Sequence, residues 1–107
     1  MRGSNARVGE VWLVDLGIAG KLRPAVILTG QPADEELTLV TIVQHTTALR
    51  GNRWELRIPK PFLDAEGAFH LQQVQSVPIA WLERRLGELT PAELDAVLDR
   101  LAERLGI

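Results

Sequence analysis

Thr90-Pro91-Ala92-Glu93 is the clearest local signal in this 107-residue chain. A threonine and a glutamate three residues apart form a capping box. Each side chain there satisfies a backbone N–H at the start of a helix. Pro91 suits the first helical position, where no N–H is needed. Leu94, Val97, Leu98, Leu101 and Leu105 follow at helical spacing, with acids and arginines opposite. Gly106 is the expected stop. The spacing predicts one helix over residues 91–105, and that leaves the ninety residues before it to be built mainly from strands.

Those residues read as strands in sequence. Val11 to Val14 is closed by Asp15 and Gly17, and Pro24 to Leu28 is a second apolar run. Leu37 to Val43 is rich in β-branched residues. Trp54 to Ile58 alternates, which turns Trp54, Leu56 and Ile58 to a core and Glu55 and Arg57 to water. Ala68 to Val77 places Phe69, Leu71 and Gln73 on one face and His70, Gln72 and Val74 on the other. A short helical turn after Pro78 leads to a small strand near Arg85–Glu88. Strands followed by one C-terminal amphipathic helix fit a mainly β, small SH3-like barrel, a shape silent about function. Trp12, Trp54 and Trp81 are expected in its core.

Hydrophobic content of 46% supports one core, so a single domain is expected over residues 9–107 behind a flexible N-terminal leader, residues 1–8. There is no cysteine, and a reducing cytoplasm is the expected setting. No apolar run has signal-peptide or membrane-spanning character, so no membrane partner is expected. Net charge is −2, but unevenly spread. Residues 1–60 carry eight Lys/Arg against six Asp/Glu, whereas residues 61–107 carry four against eight. A mildly basic first part allows a local phosphate-binding face.

Between the first two strands lies Gly17-Ile-Ala-Gly20-Lys21-Leu22-Arg23, where the glycines permit a tight or mobile path. It is no P-loop, because the Gly-Lys-Ser/Thr ending is absent. Lys21 and Arg23 supply cations, and Pro24 biases Arg23 to extended backbone. A guanidinium at the mouth of a strand pair suits phosphate. It also suits a solvated barrel rim. His45 and His70 are the chain's two histidines and titrate near neutrality; each is equally at home as a packed strand residue. Thr46 and Thr47 read as a turn or as hydroxyl donors. Arg50, Arg53 and Arg57 read as a solvated face or as backbone contacts to a nucleic acid. Two histidines without cysteine or a carboxylate cluster make a poor metal site, so neither metal nor cofactor is expected.

Gly9-Glu-Val-Trp-Leu-Val-Asp-Leu16 followed by Leu22-Arg-Pro-Ala-Val26 resembles the opening of the MazF/PemK family of bacterial toxins. Three later segments resemble the family in order. Val43-Gln-His-Thr-Thr47 carries threonine after the third strand. Gly67-Ala-Phe-His-Leu-Gln-Gln73-Val-Gln-Ser76 aligns Gln73, Val74 and Ser76 with the family's Asp-Gln-Val/Leu-Arg/Lys-Ser/Thr strand. Arg85-Leu-Gly-Glu-Leu-Thr-Pro-Ala-Glu-Leu94 is similar to the start of its last helix. The likeness runs from about Gly9 to the C-terminus. Four departures stand out: a short loop before Arg23 without an acidic residue, Gln44 for proline, Gln72 for aspartate and Gln75 for a basic residue.

The resemblance implies the MazF/PemK/CcdB-like toxin fold and the toxin half of a type II toxin–antitoxin pair. It implies a metal-independent endoribonuclease that cuts single-stranded RNA at a short sequence and blocks translation. The products would be a 2′,3′-cyclic phosphate and a 5′-hydroxyl. Arg23 and Thr47 would hold the scissile phosphate, and His45 or His70 would act as acid or base. Lys21, Thr46, Arg50, Arg53 and Gln72 would line the RNA path. Gln72 cannot serve as the base that an aspartate there would be. The partners implied are RNA, an antitoxin with an acidic segment, and a second copy in a homodimer. The alternative is a toxin of the same fold that poisons DNA gyrase without cutting RNA.

Overall fold

The computed structural model describes residues 3–17 and 21–107. The chain runs through β1 (Glu10–Asp15), β2 (Leu22–Ile27), β3 (Leu39–Thr46), β4 (Glu55–Leu56) and β5 (Ala68–Pro78). A 3₁₀ turn (Ile79–Trp81), β6 (Leu82–Glu88) and helix α1 (Pro91–Leu105) complete it. All strand pairs are antiparallel, in the order β4-β5-β3-β2-β1-β6. Within this sheet β4 and β6 are the outer strands, and among the described residues no ladder pairs them.

The apolar runs are continuous because the sheet is covered on both faces, a burial pattern that removes the alternation of a one-sided sheet. Trp12, Val14, Ala25, Ile27, Val40 and Ile42 pack on one face with Val77, Ile79 and Leu82. Their neighbours Val11, Val26 and Val43 point the other way, onto Trp54, Ile58, Phe69, Leu71 and Val97 of α1. Phe69, Ile42, Leu71 and Val97 are fully inaccessible. Burying each of them contributes about 1.5–3 kcal/mol relative to leaving it exposed.

Helix α1 has the predicted bounds. Thr90 Oγ1 accepts from Glu93 N at 3.2 Å, and Glu93 Oε1 accepts from Thr90 N at 2.8 Å. The same Glu93 oxygen meets Lys60 Nζ at 2.6 Å, which ties the loop after β4 to the helix start. Gly106 ends the helix in the left-handed region at φ 74°. Of the five apolar helix positions, Val97 is buried and Leu94 and Leu101 are partly buried, but Leu98 and Leu105 are exposed.

Several expectations are corrected. Of the described N-terminal residues, Gly3 and Ala6 are buried, whereas Ser4, Asn5, Arg7 and Val8 are exposed. Ala6 is buried in the core, and Gln31 Nε2 donates to the carbonyls of Gly3 (3.0 Å) and Ala6 (2.8 Å). Trp81 lies exposed on the 3₁₀ turn, unlike Trp12 and Trp54. β4 is only two residues long. The alternation expected along β5 breaks at a bulge, where Val43 pairs with Val74 but His45 pairs with Phe69. Three extra β5 residues fit opposite Gln44, so Ala68 through Leu71 are all buried while Gln72 and Gln73 are exposed.

Candidate functional site

β2 begins where β3 ends. Ala25 pairs with Gln44, so the register carries Arg23 to the level of Thr46 on the neighbouring strand. Thr46 in turn pairs with Ala68 at the start of β5. Arg23, the Thr46-Thr47 turn and the first residues of β5 therefore share one end of the sheet. Arg23 lies inside β2, opposite Val14, rather than in the preceding loop, and is half-buried. Among the described residues it has no ion-pair partner. A guanidinium anchored on a strand and not neutralised is suited to an anion. Lys21 is exposed just before β2. Ile18, Ala19 and Gly20 of the glycine-containing loop lie outside the described residues.

The two threonines divide their work. Thr46 is 4% exposed, and its Oγ1 accepts from Ala48 N at 3.0 Å, which closes the turn. Thr47 is exposed, with its backbone carbonyl accepting from Leu49 N. Between the two threonines, it is Thr47 whose side chain is open to solvent.

The histidines are not placed as open acids or bases. His45 is 3% exposed, lies edge-on to Phe69 at 5.0 Å between ring centroids, and is covered by Gly67. Burial pushes its pKa below the ordinary value, while Asp64 works weakly the other way. His70 is 5% exposed. Its Nδ1 accepts from Gln72 N at 3.3 Å, and its Nε2 is 3.5 Å from Glu55 Oε2. Both ring nitrogens thus face protein partners. The alternation rule put His70 and Gln72 on one face, and the β5 bulge overrides it: one is buried and the other exposed.

Glu55 was expected to face water. Its side chain is instead 7% exposed, tucked under the loop after β3. Oε2 accepts from Arg50 N at 2.6 Å and Oε1 from Gly51 N at 2.8 Å. The Arg50 amide chiefly holds this carboxyl below the usual carboxylate range, helped by the Gly51 amide and by His70. Sequence reasoning missed this role. The available signal was an acid shortly after the Gly51-Asn52 turn, whose backbone donors need an acceptor.

The loop is held elsewhere too. Asn52 Oδ1 accepts from Trp54 N at 2.9 Å, and Asn52 Nδ2 donates to Gln72 Oε1 at 3.1 Å. Arg53 stacks on Trp54 with its guanidinium carbon 4.3 Å from the ring centroid and lies 3.5 Å from Glu103 Oε1. Arg100 Nη1 donates to the Arg53 carbonyl. Arg50 lines a cavity of about 640 Å³ with Ala48, Leu49, His70 and Gln73. Arg50, Gln72 and the loop are thus brought together, with β3 between them and Arg23. Two strand spacings of about 4.8 Å separate β2 from β5. Among the described residues no cluster of three or more His, Cys, Asp or Glu could hold a metal ion.

Residues 7–105 match the family described as PemK-like, MazF-like toxin of type II toxin-antitoxin system. A protein of Mycobacterium tuberculosis (strain ATCC 25618 / H37Rv), named probable endoribonuclease MazF5, is 32% identical over 96 residues, covering 87% of this chain and 86% of that protein. A mycobacterial endoribonuclease, solved in complex with its cognate antitoxin, superposes with a TM-score of 0.73 at 25% identity, over 95% of this chain and 97% of that one. The MazE–MazF structure from Deinococcus radiodurans gives a TM-score of 0.78 at 19% identity, over 95% and 96% of the two chains, a likeness of fold. With a family match over nearly its whole length, and the sheet order and strand-end arginine and threonines built as described, the chain belongs to the PemK-like, MazF-like toxins of type II toxin–antitoxin systems.

Proposed function

We propose that this toxin is an endoribonuclease that cuts single-stranded RNA at the β2–β3 end of its sheet. The observation that carries the reading is Arg23, un-neutralised among the described residues and level with the Thr46-Thr47 turn. RNA can be cut without a protein nucleophile, because its own 2′-OH attacks the adjacent phosphate. The 2′-OH proton passes to solvent, the bond from phosphorus to the 5′-oxygen breaks as that oxygen takes up a proton from solvent, and the products are a 2′,3′-cyclic phosphate and a 5′-hydroxyl. The crowded, doubly charged phosphorane is the species to stabilise. Arg23 supplies paired donors to its oxygens, and Thr47 supplies a hydroxyl. Lys21, Arg50 and Arg53 extend the positive path along the backbone. His45 and His70 support the walls of the site through packing and the Glu55 contact.

The reading includes a metal-independent reaction, a cytoplasmic setting, a homodimer, and an antitoxin whose acidic segment competes with RNA for the arginines. The support for the antitoxin is family membership and the antitoxin complex of the mycobacterial relative. Among the described residues no helix is long and apolar enough to cross a membrane. Exposed Leu22, Leu98, Leu105 and Ile107 provide apolar surface for subunit pairing. Sedimentation at micromolar concentration then gives a mass near twice 11.9 kDa.

The test is incubation with a long RNA in EDTA, followed by primer extension. Discrete stops at one short sequence, with 5′-hydroxyl ends, support the reading. Intact RNA overturns it, and co-purification of gyrase in that case points to a toxin acting by protein contact.

A further inference from the structure

The loop over residues 50–53 is exposed yet tied at every residue. Two consecutive amides, Arg50 N and Gly51 N, converge on the Glu55 carboxylate at 2.6 and 2.8 Å. Successive backbone donors closing on one anion form a nest, an anion-binding concavity. Gly51 adopts φ 79° with open space where a β-carbon would point, so glycine is there for the left-handed backbone and not for close packing. His70 Nε2, at 3.5 Å, backs the same carboxylate from β5. Arg50 is the residue this nest holds, and Arg50 lines the cavity against β5.

A merely structural cap has no need of so many anchors on a surface loop. A flexible strand of RNA does need them. Each arginine that must be ordered on binding costs affinity, and ordering its backbone during folding removes that cost. We propose that Glu55 is a positioning residue for the substrate: it fixes the Arg50-Gly51 backbone so that the root of the Arg50 side chain is held at the cavity and less of the loop has to be ordered on RNA, with His70 acting through Glu55. The inference rests on the RNA-cleaving reading above and assigns Glu55 no contact with the reacting atoms.

The experiment uses the full chain, with Glu55→Gln, Arg50→Ala and the double variant. Glutamine keeps the shape but turns an NH₂ donor towards one of the two loop amides. Amide hydrogen exchange reads the nest without any activity. Exchange of at least one of the Arg50 and Gly51 amides rises about tenfold or more in Glu55→Gln, the loss of a charge-assisted hydrogen bond, while the amides of α1 stay protected. Binding of a 2′-O-methyl oligoribonucleotide, which cannot be cut, weakens about tenfold by the same loss. In cleavage KM rises and kcat stays within about twofold, because only substrate binding is affected. In the Arg50→Ala background Glu55→Gln adds less than about twofold, the signature of one shared interaction. Unchanged exchange at Arg50 and Gly51 overturns the proposal. So does a full additional loss of binding in the Arg50→Ala background. A wild-type protein that binds the oligoribonucleotide without cutting RNA defeats the nuclease reading alone; the exchange and binding results then still decide the role of Glu55.

Discussion

Gly67 covers the imidazole of His45 so closely that a β-carbon at position 67 would fall 2.4 Å from His45 Cε1 and 3.0 Å from the Thr46 carbonyl oxygen. The backbone of Gly67 is not in the left-handed region, so the requirement here is space. Two of the three nearest atoms belong to a ring held against Phe69, and the third is backbone of the threonine turn. Neither can move without cost. Gly67→Ala is therefore expected to destabilise the protein by about 1–3 kcal/mol, the usual cost of overpacking. The check is urea denaturation at constant m-value. An alanine variant as stable as wild type would show that the ring swings away freely.

The same burial gives His45 a pH signature. Burial lowers its folded pKa below the unfolded value near 6.5. The unfolded chain then binds the proton first, so stability is fully present above about pH 6.5. It is lost as pH falls from there towards the folded pKa. A second loss begins below about pH 4.5. There Glu93, held down chiefly by Lys60, and Glu55, held down chiefly by the Arg50 amide, resist protonation only in the folded state. Urea midpoints measured from about pH 2 to 8 should show both phases. In His45→Gln the upper phase should flatten and the lower one persist. Equal slopes above pH 5 in the two proteins would remove His45 as the source.

The two ends of the chain's legibility are α1 and β5. Helix α1 was readable to the residue because its limits are local: Thr90 and Glu93 bond each other, and Gly106 supplies the left-handed stop. Arg23 beside Pro24 was readable as an extended residue, and it is in β2. β5 was not readable in detail. Its bulge opposite Gln44 is set by the partner strand, and it re-aims His70 and Gln72 after the alternation has placed them. Glu55 was misread for a related reason. Alternation says which side a side chain leaves the strand, but not that a loop with two unsatisfied amides folds back over it. The family likeness named Arg23 and the threonines together, and the register sets them level in the sheet. The likeness could not say which of Thr46 and Thr47 is spent on the turn.

Arg23 should dominate cleavage. It sits on a strand rather than a loop, and its side chain is not spent on any acid among the described residues. Arg23→Ala is expected to lower kcat/KM on a single-site RNA by about a hundredfold or more, the scale of a lost transition-state donor. The melting temperature should stay close to wild type, since a half-exposed side chain without ion pairs holds little of the fold. Arg23→Lys should recover only part of the rate, because an ammonium cannot make the paired contact. Near-normal cleavage by a folded Arg23→Ala protein would place the scissile phosphate elsewhere.

The threonines offer the sharpest contrast, because they are adjacent and should fail in opposite ways. Thr46 spends its hydroxyl oxygen on the Ala48 amide and is buried. Thr46→Val keeps the shape and removes that acceptor, which leaves the amide without its partner. The expected cost is about 1 kcal/mol or more of stability. Cleavage should fall only as far as the turn, and with it Thr47, loosens. Thr47 is exposed, and its side chain closes no turn. Thr47→Val should leave the urea midpoint nearly unchanged. It should nonetheless lower kcat by about tenfold to a hundredfold if the hydroxyl reaches the phosphorane as a donor. Measuring both midpoint and kcat for both variants separates the roles. If instead Thr47→Val cleaves at the wild-type rate, Arg23 stabilises the phosphate without a hydroxyl, and the threonine pair serves only to turn the chain from β3 towards the Arg50 loop.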